Sequence, residues 1–302
     1  MADTRVRLGE IELKNPVIPA SGTFGYGREF AELFDLNILG GIAVKGTTIE
    51  AKSGNESPRI AEAAGGMINS VGLQNPGAAD VVSEQLPHLA EIFDGVIIAN
   101  ISGFSIEEYV SCAETMETCP QADIIEVNIS CPNVHGGGMA FGQSSSQAAA
   151  VTKAVKQVTD KPVYIKLSPN VTDVASIAAA CEEAGADGIS LINTLQAMRI
   201  DIKTRKPVLA NITGGLSGPA IFPVALRMVN QVRKAVDIPI MGMGGIASAE
   251  NVIEMIMAGA DAVQIGAAGL RNPWIYPEIT EQLPVLMEQL GIDNLREVKG
   301  IV

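Results

Sequence analysis

Residues that usually bind metals are scarce in this chain. Among 302 residues, the histidines and cysteines are His88, His135, Cys112, Cys119, Cys131 and Cys181. The cysteine spacing fits neither a zinc site nor the clustered ligands of an iron–sulfur centre, and two histidines are too few to complete one. We therefore predict no metal site. Because a large chain with a good core does not need cross-links, we expect free thiols.

Long apolar runs and excess positive charge are also missing. No apolar run approaches the roughly 20 residues that span a bilayer, and the N-terminal residues lack the basic and apolar pattern of a secretion signal. We therefore expect a soluble, cytoplasmic protein without a membrane partner. The net charge of −13 repels phosphate backbones, so nucleic acid is not an expected partner.

Apolar residues, by contrast, are abundant: hydrophobic residues make up 47% of the chain and charged residues only 18%. Short β-branched runs recur, and most precede an Ala- and Glu-rich segment that is typical of a helix. The eight runs are Pro16 to Ser21, Ile42 to Thr47, Val96 to Ser102, Ile124 to Ser130, Val163 to Ser168, Gly188 to Thr194, Ile238 to Gly245, and Ala262 to Ala267. Non-alternating apolar strands between helices predict a parallel sheet, and eight of them predict a (β/α)8 TIM barrel. Such barrels run to about 250 residues or more, so we predict one domain over residues 1–302.

Two helices and two insertions follow from the same pattern. Asp173 to Ala184 has the pattern of an amphipathic helix that ends at Gly185, and Ser248 to Met257 begins with a serine cap and stops before Gly259. The gaps from Thr47 to Val96 and from Thr194 to Ile238 are longer than one unit needs. Since both follow strand ends, we predict loop insertions on the C-terminal face, and loops of this length usually carry function.

Polar residues collect at the predicted strand ends: Ser21, Lys45, Asn100, Asn128, Cys131, Lys166, Asn193 and Thr194. The set lacks a carboxylate pair, a histidine and a serine–histidine arrangement, which argues against hydrolysis. A carboxamide offers one donor and one acceptor edge, which matches a cyclic amide such as a pyrimidine ring, and a lysine could hold an anionic group. Taken singly, each asparagine could instead be a turn or cap, each lysine a solvent-exposed or Schiff-base residue, and Cys131 a buried thiol. Their joint occurrence favours a binding site.

Glycines end the last two predicted strands, at Gly242 to Gly245 and at Gly266 before Ala267. Barrels commonly bind a phosphate at this place through loop amides and a short helix N-terminus. We therefore expect a phosphate on the cofactor or substrate. The spacing is not that of the dinucleotide fingerprint, so we predict no Rossmann NAD site on this chain.

Together these motifs resemble the class 1 dihydroorotate dehydrogenases, and among them the 1B type. The resemblance covers nearly the whole chain and rests on Pro19 to Gly22 with Phe24-Gly25, Asn69 to Asn75, Asn128 to Asn133, Lys166 to Asn170, Asn193-Thr194 with Met198-Arg199, Thr213 to Pro219, and Gly242 to Gly245. It implies an FMN-containing barrel that oxidises dihydroorotate to orotate in pyrimidine synthesis. It also implies that Cys131 is the general base at C5 while hydride leaves C6 for flavin N5. The membrane-associated class 2 enzymes have serine in that role.

The resemblance assigns the remaining site residues. Lys45 would lie between the substrate carboxylate and the flavin, and Lys166 would stabilise negative charge on the reduced flavin. The implied substrate-binding residues are Lys45, Asn69, Ser70, Val71, Gly72, Leu73, Asn128, Asn133, Asn193 and Thr194. The implied FMN-binding residues are Ser21, Lys45, Gly46, Asn100, Asn128, Lys166, Ile192, Gly218, Gly244, Gly245, Gly266 and Ala267. The family usually has threonine where this chain has Ala267, so one hydroxyl contact to phosphate is lost.

The electron acceptor is the open question, because the chain has no second flavin motif and no cysteine cluster for an iron–sulfur relay. The 1B resemblance implies one FMN per chain and a partner subunit that carries FAD and a [2Fe-2S] cluster and reduces NAD. It also implies a homodimer core within a heterotetramer. The alternatives are a fumarate-reducing 1A type, which the stretch Phe24 to Gly27 disfavours, an FMN-dependent dihydropyrimidine dehydrogenase, and a non-catalytic or isomerase-type phosphate-binding barrel.

Overall fold

The computed structural model describes residues 2–130 and 141–302. The strands in these ranges are β1 Val6–Leu8, β2 Ile11–Leu13, β3 Val17–Pro19, β4 Gly41–Ala43, β5 Ile60–Ala63, β6 Gly66–Asn69, β7 Val96–Ile101, β8 Ile124–Asn128, β9 Val163–Lys166, β10 Gly188–Leu191, β11 Leu195–Met198, β12 Ile200–Asp201, β13 Lys206–Pro207, β14 Thr213–Ser217, β15 Ile240–Met243 and β16 Ala262–Ile265. The helices are α1 Arg28–Ala31, α2 Ala78–Asp80, α3 Leu86–Ile92, α4 Ile106–Glu117, α5 Ser145–Lys156, α6 Val174–Glu183, α7 Phe222–Arg233, α8 Ala249–Met257, α9 Ala267–Arg271 and α10 Ile275–Leu290. A π-helical segment, Val81–Gln85, joins α2 to α3.

Eight strands form one parallel sheet in the order β3-β16-β15-β10-β9-β8-β7-β4. The two end strands lie side by side, where the Gly40 amide donates to the Val17 carbonyl at 3.0 Å. Every residue of β4, β8, β9 and β10 is buried, as expected for strands covered on both faces. The predicted (β/α)8 TIM barrel is therefore confirmed: seven of its strands lie inside predicted runs, and β4 begins one residue before the run from Ile42 to Thr47.

The two predicted helices are present, each beginning one residue after its capping side chain. The Asp173 carboxylate accepts from the amides of Ala175 and Ser176, both at 3.1 Å, and α6 follows. The Ser248 hydroxyl accepts from the Asn251 amide at 3.3 Å at the start of α8. None of the helices in the described ranges is both long and apolar enough to cross a bilayer.

The two insertions were predicted to be loops. In the structure they instead form a second sheet together. Its strands, all antiparallel to their neighbours, run in the order β11-β14-β6-β5. Glycines within these strands allow close approach to the neighbouring chain. A Cβ on Gly66 would lie 2.0 Å from the Ser217 carbonyl oxygen, and one on Gly215 would lie 1.9 Å from the Thr194 hydroxyl. The insertions do follow strand ends, as predicted, so the second sheet lies over the C-terminal mouth of the barrel.

Candidate active site

A cavity of about 330 Å³ lies between the C-terminal ends of the barrel strands and the insertion sheet. Its barrel side is formed by residues that end or follow strands, among them Lys45, Asn128 and Lys166. Its other side includes Met67 and Asn69 of β6. As the architecture of such barrels predicts, the strand ends therefore face one common cavity.

Nearly all described residues that the sequence assigned to a site line this cavity. They are Ser21, Lys45, Gly46, Asn69, Val71, Gly72, Leu73, Asn100, Asn128, Lys166, Ile192, Asn193, Thr194, Gly218, Gly244, Gly245, Gly266 and Ala267. Ser70 does not line it and is fully buried. Because adjacent side chains of an extended segment point to opposite sides, Ser70 faces away while Asn69 and Val71 face the cavity. Cys131 and Asn133 lie outside the described residues.

A buried ion pair lies at the bottom of the cavity. Glu126 of β8 is 0% exposed, and its Oε2 accepts from Lys166 Nζ at 3.2 Å and from Asn100 Nδ2 at 2.5 Å. Its Oε1 accepts from Gln264 Nε2 at 2.7 Å. Burial disfavours the charged form of Glu126, but the Lys166 ammonium and these hydrogen bonds outweigh burial and hold the carboxyl pKa below its usual range.

Glu126 and Gln264 are two site residues that the sequence did not lead us to predict. One signal was present, since Glu126 is the only charged residue of the run Ile124 to Ser130 and buried charges are almost always paired. The partners of the Glu126 carboxylate come from the neighbouring strands. Asn100 of β7 lies opposite Glu126 in register. Lys166 ends the neighbouring strand β9 opposite Asn128.

The asparagines at two strand ends are linked to each other. Asn128 Oδ1 accepts from the Ser130 hydroxyl at 2.6 Å and from Asn193 Nδ2 at 3.3 Å, and Asn193 Nδ2 also donates to the Ser130 hydroxyl. Asn193 Oδ1 accepts from the Thr194 amide at 2.8 Å. These bonds tie the end of β8 to the end of β10. The two carboxamides thus hold the strand ends together and also line the cavity. The sequence left open whether such asparagines are turn and cap residues or binding residues, and here both descriptions apply.

Comparison with known proteins gives the family. A family model described as Dihydroorotate dehydrogenase matches residues 4–287. The chain belongs to the dihydroorotate dehydrogenase family. The match covers all eight barrel strands and both insertions.

Several curated relatives carry the name "Dihydroorotate dehydrogenase B (NAD(+)), catalytic subunit". The protein of Anoxybacillus flavithermus (strain DSM 21510 / WK1) is 54% identical over 295 residues, which is 98% of this chain and 94% of the relative. The protein of Geobacillus sp. (strain WCH70) is 56% identical over the same shares of both chains. The protein of Bacillus cytotoxicus (strain DSM 22905 / CIP 110041 / 391-98 / NVH 391-98) is 55% identical over 296 residues, 98% of this chain and 96% of the relative. The resemblance to the 1B type is therefore confirmed.

The residues that line this cavity fit FMN, the cofactor that the dihydroorotate dehydrogenase family implies. In the described part of the chain, the buried oxygens Asn100 Oδ1 and Gln264 Oε1 accept no hydrogen bond, so a ring N–H can satisfy one of them. The nearest side-chain atom to a Cβ built on Gly266 would be the Ala20 Cβ at 3.5 Å, so the backbone at the predicted phosphate end is not crowded. Gly244 and Gly245 have φ of +123° and +80°, values that glycine adopts readily.

Proposed function

We propose that this chain is the catalytic subunit of an NAD-linked dihydroorotate dehydrogenase, which oxidises (S)-dihydroorotate to orotate in pyrimidine biosynthesis. The observation that carries the proposal is one cavity lined by a lysine, several carboxamides and a glycine-rich end. FMN, when bound, supplies the acceptor for the hydride that leaves C6 of the substrate. Residues 1–302 are proposed to act as a single domain, in the cytoplasm.

Lys45 is proposed to bind the substrate carboxylate. Its side chain lies beside Gly22, since a Cβ on that glycine would be 3.6 Å from Lys45 Nζ. Removal of one charged hydrogen bond costs about 1.5 to 3 kcal/mol, which corresponds to roughly a ten- to hundred-fold loss of affinity. We therefore expect Lys45→Met to raise KM for dihydroorotate by that factor. The matched control is Lys14→Met, since Lys14 is a partly exposed lysine that pairs with Asp94. This substitution should leave KM for dihydroorotate unchanged.

Carboxamides are proposed to bind the ring of the substrate. Asn69, Asn128 and Asn193 border the cavity on three different segments, and each can donate and accept. The ring of dihydroorotate alternates N–H and carbonyl groups, so it needs both kinds of partner. Asn133, Val71, Gly72, Leu73 and Thr194 complete the proposed substrate set.

Cys131 is proposed as the general base that takes the proton from C5. Support comes from its position, three residues after Asn128 at the end of β8, and from the family resemblance. Cys131→Ser should slow flavin reduction severely at neutral pH, because a serine hydroxyl loses its proton less readily than a thiol. Raising the pH should recover part of the rate because more of the hydroxyl is then deprotonated. Stopped-flow absorbance measures this step directly. Unchanged reduction kinetics would remove Cys131 from the role.

The proposed path for the electrons leads to a partner subunit with FAD and a [2Fe-2S] cluster and then to NAD, in a heterotetramer around a homodimer of this chain. Support comes from the names of the relatives, which include "NAD(+)" and "catalytic subunit". The fumarate-reducing alternative is not favoured by these names.

The test uses the FMN-loaded chain and follows orotate formation with NAD alone, with fumarate alone, and with NAD plus the partner. Turnover only in the third mixture is expected. Turnover with fumarate would identify fumarate rather than NAD as the acceptor. Turnover of dihydrouracil in place of dihydroorotate would overturn the assignment of the substrate. A protein without flavin absorbance after incubation with FMN would overturn the proposal as a whole.

A further inference from the structure

Glu126 is a fully buried carboxylate at the bottom of the cavity, and it takes its hydrogen bonds from three side chains that line the cavity. Lys166, Asn100 and Gln264 come from three different strands, β9, β7 and β16. All three border the cavity, while Glu126 lies behind them. Its carboxylate is therefore the one group that these three side chains share.

A carboxylate can only accept hydrogen bonds, so each side chain must turn a donor towards it. Asn100 and Gln264 thus direct their NH2 groups to Glu126, which leaves each carbonyl oxygen for another partner. Within residues 2–130 and 141–302 neither oxygen has one. Gly46 leaves space beside one of them, because a Cβ there would lie 2.7 Å from Asn100 Oδ1. An open acceptor next to an ammonium matches a ring edge on which an N–H lies beside a carbonyl oxygen, so one of the two carboxamide oxygens can accept from the ring N–H.

The electric field that Lys166 exerts on the cavity depends on the same contact. Lys166 is 5% exposed, so water screens its charge only weakly. The Glu126 carboxylate, at 3.2 Å, offsets part of that field. Glu126 must therefore affect the ratio of the affinities for the negatively charged reduced cofactor and for the oxidised cofactor.

We propose that Glu126 is a positioning residue: it fixes the Lys166 ammonium and the Asn100 and Gln264 carboxamides for the flavin ring, and through Lys166 it sets the reduction potential of FMN. The inference rests on the proposed function only in that FMN is the cofactor. Glu126→Gln keeps the size of the side chain but removes the negative charge, so the Lys166 field at the cavity is no longer offset. Reduced FMN should then gain affinity relative to oxidised FMN.

The test compares purified wild-type protein, Glu126→Gln and Glu126→Asp by dye-equilibrated potential measurements and by FMN titration of the cofactor-free protein. In Glu126→Gln we expect the ratio of affinities for reduced and oxidised FMN to rise at least tenfold, which is about 30 mV for a two-electron couple. Glu126→Asp keeps the charge and should stay near the wild-type potential. Glu281→Gln, an exposed glutamate on α10, is the control for the loss of one charge. A purely structural role would weaken both redox forms alike, so an unchanged or lowered potential in Glu126→Gln overturns the proposal.

A double-mutant cycle with Lys166→Met keeps the proposal testable even if Glu126→Gln alone fails to fold. Because Glu126 acts through Lys166, the double variant should have the same potential as Lys166→Met. A different potential means that Glu126 acts by another route and overturns the proposal. Neither measurement uses dihydroorotate, so a wrong substrate assignment would leave these results intact, whereas failure to bind FMN would reject the proposed function itself.

Discussion

Asn75 is buried and makes four hydrogen bonds that hold the cavity-lining segment 69–73 against the barrel. Its Oδ1 accepts from the amides of Thr48 at 3.2 Å and Gly77 at 2.9 Å. Its Nδ2 donates to the Thr48 hydroxyl at 2.8 Å and to the Leu73 carbonyl at 2.7 Å. Thr48 follows β4 and Lys45, so Asn75 links the proposed substrate segment to the proposed carboxylate site.

Replacing Asn75 with alanine removes all four bonds and leaves buried backbone groups without partners. At about 0.5 to 1.5 kcal/mol for each bond, the expected loss in the free energy of unfolding is about 2 to 6 kcal/mol. The upper part of this range is expected because Thr48 and Gly77 are buried, so water does not replace the lost partner. Asn75→Asp keeps the two acceptor bonds and should lie between wild type and alanine. Both variants should raise KM for dihydroorotate more than they lower kcat, because the segment that binds the ring loosens.

Urea unfolding gives the change in stability, and initial rates over a range of dihydroorotate give KM. The matched control is Gln74→Ala, the neighbouring exposed side chain, whose Oε1 accepts from Arg59 Nη2 at 2.5 Å. Exposed positions usually change stability by less than about 0.5 kcal/mol. If Asn75→Ala matched Gln74→Ala in both stability and KM, the reasoning from its four bonds would be refuted.

Three further predictions use single measurements. Ala267→Thr should slow the loss of FMN on dilution, because a hydroxyl adds one hydrogen bond worth about 1.5 to 3 kcal/mol at most; flavin fluorescence follows the loss, and equal retention counts against this. Iodoacetamide at neutral pH should leave Cys112 and Cys181 of the native protein unmodified, because burial raises the pKa of Cys112 to about 12 and that of Cys181 to about 11; mass spectrometry that finds either one alkylated would contradict this. The folded-state pKa of Glu126 is lowered, so the charged side chain stabilises the fold above its unfolded-state pKa of about 4.3, and this stabilisation is lost as pH falls through the folded-state pKa. In urea unfolding, the loss of stability caused by Glu126→Gln should therefore be constant near pH 7 and shrink in acid. A loss that grows in acid would contradict this.

The barrel could be predicted from the sequence because its signal is local. Each barrel strand is a short apolar run that does not alternate, and each run closes on polar or glycine residues. The insertion sheet has no such signal, since β14 pairs with β6 about 150 residues earlier in the chain. Glycines within its strands, such as Gly66 and Gly215, are typical of turns when only neighbouring residues are considered. They are needed because other parts of the chain pass close by: a Cβ on Gly66 would lie 2.0 Å from the Ser217 carbonyl oxygen of β14, and one on Gly215 would lie 1.9 Å from the Thr194 hydroxyl.

The candidate site could be predicted to the extent that it lies at strand ends. Parallel strands bring their carboxyl ends together whatever their order, so the collected lysines and asparagines had to meet. The direction of a side chain within an irregular segment does not follow from this rule. Ser70 shows the limit, because it belongs to the right segment but its side chain is turned away from the cavity.

Glu126 shows how the rule can be extended by one layer. It lies two residues before Asn128, so both side chains point to the same face of β8, with Glu126 one layer deeper in the barrel. The interior of such a barrel is usually filled by branched apolar residues, and a carboxylate there is stable only if neighbouring strands bring donors to it. The neighbouring strands hold those donors: Asn100 lies opposite Glu126 in register, and Lys166 reaches Glu126 from the β9 position opposite Asn128. A lone acid in an apolar barrel strand, two residues before a polar strand end, therefore indicates a group that orients the site above it.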